Sequence, residues 1–227
     1  MLTKNSKIFL AGHKGMVGSA ILRKLKSLNY TKVITRSKKK LDLLDQKKTY
    51  SFLKKIKPDY VIIAAARVGG IKANSNYKSK FMYENLTIQN NLIHGSYLAK
   101  VKNLLFLGSS CIYPRKSKQP IKEKYILSGS LEETNDAYAI AKIAGLFMCK
   151  FYSENYKLNY KSLMPSNMYG PNDNYNLETS HFFPALIRKS IITVEQKKKY
   201  IYLLGNGKAK REMLFVDDFA DAVIFFL

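Results

Sequence analysis

Apolar and polar positions along the chain alternate between two kinds of stretch. Short, nearly uninterrupted apolar runs occupy 7–11, 32–35, 60–66, 103–107 and 161–164. Runs of this length without polar alternation predict strands covered on both faces, as in a parallel sheet. Between them, apolar residues recur at helical spacing over 19–28, 46–56, 81–100 and the stretch from Asp136 to about residue 152. Strand and helix in such regular succession predict an α/β fold built on a doubly wound parallel sheet. Residues 67–71 predict a turn, and 165–171 the loop leaving a strand. From Asn172 to Arg211 the alternation lapses, which predicts the start of a smaller substrate-binding lobe. The last stretch, 219–227, predicts a helix that stops on apolar residues without a cap, so the lobe is expected to be truncated.

Composition narrows the class. A chain of 227 residues with 46% hydrophobic content can bury the core of one large domain. No apolar run approaches the ~20 residues of a bilayer span, and the amino terminus leads directly into the strand at 7–11. A cytoplasmic protein with no membrane partner is expected. The two cysteines, Cys111 and Cys149, have neither metal-ligand spacing nor the number of a disulfide framework, so no metal site is expected. The net charge of +23 is spread over many lysines, with only short runs such as Lys38-Lys39-Lys40 and Lys197-Lys198-Lys199. No aromatic residues interleave with these runs, so the charge reads as solvated faces favouring anionic ligands, and nucleic acid is not an expected partner.

Chemistry concentrates where the predicted strands end. The first strand runs into Gly12-His13-Lys14-Gly15-Met16-Val17-Gly18 and then an amphipathic helix. This order suits a phosphate cradle, in which glycines let the backbone approach a pyrophosphate and the helix start meets its charge. Gly12, Lys14, Gly15, Met16, Val17 and Gly18 are the candidate contacts; glycines kept for turn geometry alone are the competing reading. After the second strand come Arg36 and Lys38 where an NAD site usually places an acid, so NADP is the expected cofactor. Ala64 and Ala65 end the third strand with side chains small enough to admit a flat ligand, and Ser109 and Cys111 follow the fourth. Tyr138 and Lys142, four residues apart in a helical stretch, project from one face. An ammonium beside a phenol favours the phenolate and is expected to lower the Tyr138 pKa. Against this stands a core tyrosine with a lysine reaching solvent.

The glycine turn, the serine after a strand and Tyr-x-x-x-Lys, in this order, resemble the extended short-chain dehydrogenase/reductase family. Within it the chain looks like the branch that epimerises and reduces a GDP-4-keto-6-deoxy sugar. Segments 11–20, 68–71 (Val68-Gly69-Gly70-Ile71), 107–114, 138–145, 164–171, 180–186 and 211–218 carry that likeness. The resemblance implies a Rossmann-like NADP-binding domain over 1–171, and a partial substrate lobe with a return segment over 172–227. It implies that Tyr138 gives the proton in ketone reduction, Ser109 binds the carbonyl oxygen and Lys142 holds the nicotinamide ribose. Cys111 as base and His181 as acid are the implied epimerisation pair. Pro165, Asn167 and His181 join the implied cofactor contacts, while Ser109, Asn167, Lys189 and Arg211 form the implied site for the GDP-sugar substrate. A homodimer through the helices 81–100 and 136–152 is also implied. Lys14 departs from the branch, which has arginine there. Two rivals remain: another NAD(P)-dependent nucleotide-sugar epimerase or dehydratase, and a truncated, inactive cofactor-binding protein.

Overall fold

The computed structural model describes residues 2–203, 205–208 and 210–227. Of the residues outside it, Met1 belongs to the amino-terminal lead and Leu204 and Ala209 to the expected lobe; none is a candidate site residue. Five strands, β1 (Ile8–Ala11), β2 (Val33–Ile34), β3 (Tyr60–Ile63), β4 (Asn103–Leu107) and β5 (Asn159–Leu163), form a parallel sheet in the order β2-β1-β3-β4-β5. The register pairs Ala11 with Ile63, Ile63 with Phe106 and Leu107 with Leu163, so the strands finish along one edge. The chain reverses its direction of travel across the sheet between β1 and β3. Ligands of such sheets bind outside the carboxyl ends at that switch point.

The two-residue period of a strand sends alternate side chains to opposite faces. Ile8, Leu10, Ile62 and Leu105 pack on one side against Ile21 and Leu25 of α1 (Met16–Ser27) and Phe219 and Val223 of α7 (Val216–Phe226). Phe9, Val61, Ile63, Leu104 and Phe106 pack on the other side against Leu53 of α2 (Gln46–Ile56), Leu92 and Ile93 of α4 (Lys78–Leu98) and Cys149 of α5 (Asp136–Tyr156). Helices on both faces make the sheet doubly wound. The final stretch is thus part of the sheet's core, fastened to α1 by the ion pairs Arg23–Asp217 and Lys24–Asp221.

Three short elements depart from the sequence reading. The turn at 67–71 runs into a six-residue helix, α3 (Ile71–Asn76), whose buried residues are Ala73 and the polar Asn74. The stretch 165–171 is not all loop: β6 (Asn167–Tyr169) pairs in parallel with β7 (Met213–Phe215) as a separate two-stranded sheet. Helix α4 begins at Lys78, a turn earlier than its apolar pattern. Beyond β6 stands α6 (Phe182–Glu195), in which Pro184 is the one buried residue. Among the described residues no helix is long and apolar enough to cross a membrane.

Candidate active site

The three glycines of the first turn serve different ends. Gly12 has φ +89°, and a Cβ there would lie 2.6 Å from the Ala64 carbonyl and the Ala65 nitrogen. A Cβ on Gly18 would lie 2.1 Å from the Gly12 oxygen. Both are demanded by the close approach of α1, the turn and the end of β3. Gly15 is not, since its nearest such neighbour, the Gly12 oxygen, is 3.6 Å from a built Cβ. Gly15 is exposed and N-caps α1 without a side-chain hydrogen bond, and no acidic residue occupies the helix's first turn. The amides of that turn, including those of Met16 and Val17, have no carbonyl partner inside the helix, and the dipole favours an anion there. A dinucleotide pyrophosphate fits this cradle, with exposed Lys14 beside it.

Past β2, Arg36 is exposed, its Nη1 donating to the Thr35 carbonyl at 2.8 Å and its guanidinium 5.3 Å from the Phe52 ring centroid. Among the described residues no carboxylate pairs with it. Lys38 is 74% exposed and 4.0 Å from the Asp42 carboxylate. Two cations therefore stand open to an added phosphate at the end of β2.

At the end of β4, Ser109 N-caps a short 3-10 turn over Ser110–Ile112, its Oγ accepting from the Cys111 amide at 3.3 Å. Helix α5 packs at this end of the sheet with the small residues Ala137, Ala139, Ala141 and Gly145 buried. A Cβ on Gly145 would lie 2.6 Å from Phe106 Cζ, which shows how closely the helix sits. That approach buries Lys142 to 4% exposure. Its Nζ donates to the Leu107 carbonyl at 2.6 Å and lies 4.7 Å and 5.6 Å from the rings of Phe106 and Tyr138. Burial brings the Lys142 pKa down to about 8, against an upward pull from Cys111.

The expectation for Tyr138 is corrected here. Burial pushes its phenol well above the ordinary value, Cys111 adds to the rise, and Ser109 opposes it. The Lys142 ammonium is committed to a carbonyl and lies over the tyrosine ring, so in the protein alone desolvation outweighs it. Burial also raises the Cys111 thiol, with Ser109 and Lys142 opposing. The other thiol, Cys149, is buried in the core and pushed up to about 12.

The remaining candidates sit elsewhere. His181 N-caps α6 at an exposed position, its pKa lowered by partial desolvation against the pull of Asp173. Pro165 is buried after β5, its carbonyl accepting from Ser110 N at 3.2 Å, and Asn167 Nδ2 donates to the Glu212 carbonyl at 3.3 Å. Lys189 Nζ donates to the Tyr202 carbonyl and Arg211 Nη1 to the Lys210 carbonyl, each at 2.9 Å. Ser109, Cys111, Tyr138 and Lys142 thus form one cluster. Among the described residues no hydrogen bond joins His181, Asn167, Lys189 or Arg211 to it.

Residues 8–227 match the NAD dependent epimerase/dehydratase family. The chain belongs to that family. It is 49% identical to the putative GDP-L-fucose synthase 2 of Arabidopsis thaliana, covering all of this chain and 69% of that protein. It is 45% identical to the GDP-L-fucose synthase of Escherichia coli over 96% of this chain and 68% of the relative. The solved GDP-L-fucose synthetase of Naegleria fowleri bound to NADP is similar at 30% identity with a TM-score of 0.88, over 99% of this chain and 74% of that one.

Other members of the site are silent in the sequence. The Leu107 carbonyl that anchors Lys142 is a backbone atom. Asp173, whose own pKa burial raises, lies in a polar stretch without periodicity. His13 carries a buried Nδ1 that has no hydrogen-bond partner among the described residues, and its place inside the glycine turn was the one signal available.

Proposed function

We propose that this chain is a cytoplasmic, NADPH-dependent enzyme that converts GDP-4-keto-6-deoxymannose to GDP-L-fucose, epimerising carbons 3 and 5 and reducing the 4-keto group. The observation that carries the reading is the cluster of half-buried Ser109, Cys111 and Tyr138 with buried Lys142 at the end of β4, on the same sheet edge as the glycine cradle. Relatives at 45–49% identity that bear the GDP-L-fucose synthase name support the substrate.

Gly12, Lys14, Gly15, Met16, Val17 and Gly18 hold the pyrophosphate, Arg36 and Lys38 the additional phosphate of NADP, and Ala64 and Ala65 flank it. Lys142, Pro165, Asn167 and His181 complete that set. NADPH supplies the hydride when bound. The raised pKa keeps Tyr138 protonated near neutral pH, as a donor to the alkoxide that forms at carbon 4 must be. Ser109 donates to the same oxygen as charge develops on it. Lys142 stabilises the phenolate left behind and holds the ribose. In epimerisation Cys111 removes a proton from the carbon beside the ketone, with Lys142 and Ser109 favouring its thiolate, and His181 returns one to the opposite face. Asn167, Lys189 and Arg211 bind the polar groups of the GDP-sugar.

The enzyme is a homodimer through α4 and α5, which leave Tyr83, Ile140 and Phe151 exposed on their outer faces. The test of the activity is NADPH consumption by the purified chain given GDP-4-keto-6-deoxymannose. Tyr138→Phe is expected to lower kcat by about 10²- to 10⁴-fold while NADPH still binds. A folded wild-type chain that binds NADPH but does not consume it would sink the reading.

A further inference from the structure

Val68-Gly69-Gly70-Ile71 has no part in the chemistry above, yet it occupies a crowded junction. Gly70 has φ −68° and ψ 179°, a backbone that any residue adopts, so conformational freedom does not require glycine there. Space does. A Cβ on Gly70 would lie 2.2 Å from the Ser180 carbonyl oxygen, 3.1 Å from its carbon and 3.8 Å from the His181 nitrogen. The Gly70 amide donates to the Thr179 carbonyl at 2.9 Å, so loop and turn are bonded as well as touching.

The turn beneath is braced by side-chain hydrogen bonds. Asn74, buried on α3, donates through Nδ2 to the carbonyls of Gly69 and Gly70 at 2.6 and 3.2 Å. A Cβ on Gly69 would lie 3.0 Å from Ala73 Cβ and 3.1 Å from Phe81 Cζ. One step back toward β3, the Asn85 side chain accepts from the Arg67 amide at 2.9 Å and donates to its carbonyl at 3.0 Å. At the outer edge Lys72 pairs with Glu178. The end of β3 is thereby linked through Gly70 to the residue preceding His181.

We propose that Gly70, held by Asn74, is a positioning residue that sets where His181 stands, and so governs exchange of carbon-bound protons far more than the cofactor affinity to which His181 also contributes. This rests on the assignment of His181 as the epimerisation acid. A misplacement of about 1 Å at a reacting group can cost about 10²-fold in rate. A side chain at Gly70 forces the Ser180 backbone to shift by at least that much to restore ordinary contact.

The experiment follows solvent deuterium uptake into GDP-4-keto-6-deoxymannose beside the ketone, with oxidised cofactor so that no reduction follows. Gly70→Ala is expected to lower the kcat of exchange about 100-fold, with the KM for the sugar within about threefold and the NADPH Kd within about fivefold of wild type. Exchange within about twofold of wild type overturns the proposal, as does a fall in exchange matched by an equal loss of NADPH affinity. If Gly70→Ala does not fold, Lys72→Ala takes its place, since the pair it breaks is exposed. A two- to fivefold slower exchange at unchanged NADPH Kd is then expected, and unchanged exchange overturns the proposal. The two assignments separate in the wild type. Consumption of NADPH without deuterium uptake removes the acid role of His181 and the proposal with it, whereas uptake that Gly70→Ala leaves intact removes the proposal alone.

Discussion

The edge of the main sheet and the segment 172–211 hold their polar side chains in opposite ways. At the sheet edge Lys142 is enclosed beneath α5, and its ammonium meets one carbonyl and two aromatic rings. In the segment, Lys189 and Arg211 donate to carbonyls of the stretch they stand on or beside, and Arg211 is exposed. The same kind of cation is a desolvated reagent in one place and a solvated contact in the other. Burial sets the protonation chemistry of the first group, and loop geometry sets the position of the second.

The difference can be broken first at the glycine turn. Gly18→Ala is expected to destabilise the fold by about 3 kcal/mol or more, because its Cβ meets backbone that cannot yield. Gly15→Ala, in the same turn, is expected to leave the urea midpoint unchanged and to weaken NADPH binding about tenfold, the methyl occupying the cradle. Full NADPH affinity in Gly15→Ala would remove the cradle assignment.

Lys142→Met sharpens the buried side of the comparison. With the folded pKa at about 8 and the ordinary value at 10.5, the unfolded chain between them holds a proton that the folded chain has released. Wild-type stability therefore rises with pH across that window, and the cost of burying the charge is greatest below pH 8. The stability of Lys142→Met relative to wild type is expected to fall by about 3 kcal/mol from pH 7 to the top of the window, read from urea midpoints. A difference that stays flat with pH would mean that Lys142 is not desolvated as a cation.

The smallest effects belong to a matched pair of exposed arginines. Arg36→Gln is expected to raise the NADPH Kd about tenfold or more and leave the NADH Kd unaltered, the loss of a charge-assisted contact to the added phosphate. Arg211→Gln is expected to raise the KM for the GDP-sugar only about two- to fivefold. Equal losses of NADPH and NADH affinity in Arg36→Gln would count against the phosphate contact.

Much of this was legible because long apolar runs report their own burial. β4 lies at 103–107 and α2 at 46–56, as their patterns predict, and Tyr138 and Lys142 share the face that their spacing implies. The misses have a common cause. α3 is stabilised by Asn74 reaching back to the turn, and β6 exists through pairing with β7 more than forty residues away, so neither writes a period into its own residues. The Tyr138 error is of the same kind: spacing tells which groups are neighbours, while the desolvation that decided the sign comes from the close approach of α5 to β4 at Gly145. The family resemblance named His181, but nothing in its own neighbourhood of sequence connects it to residue 70.

The packing of α7 on α1 bears on how the protein is made. Arg23 and Asp217 are separated by 194 positions, and Phe219 and Val223 cover Ile21 and Leu25. The helix that opens the cofactor cradle is made well before α7, and the part of its apolar stripe that α7 covers stays bare until translation has passed residue 223. Throughout that interval part of α1 is left uncovered, so the topology prolongs the exposure of apolar surface before the core can close.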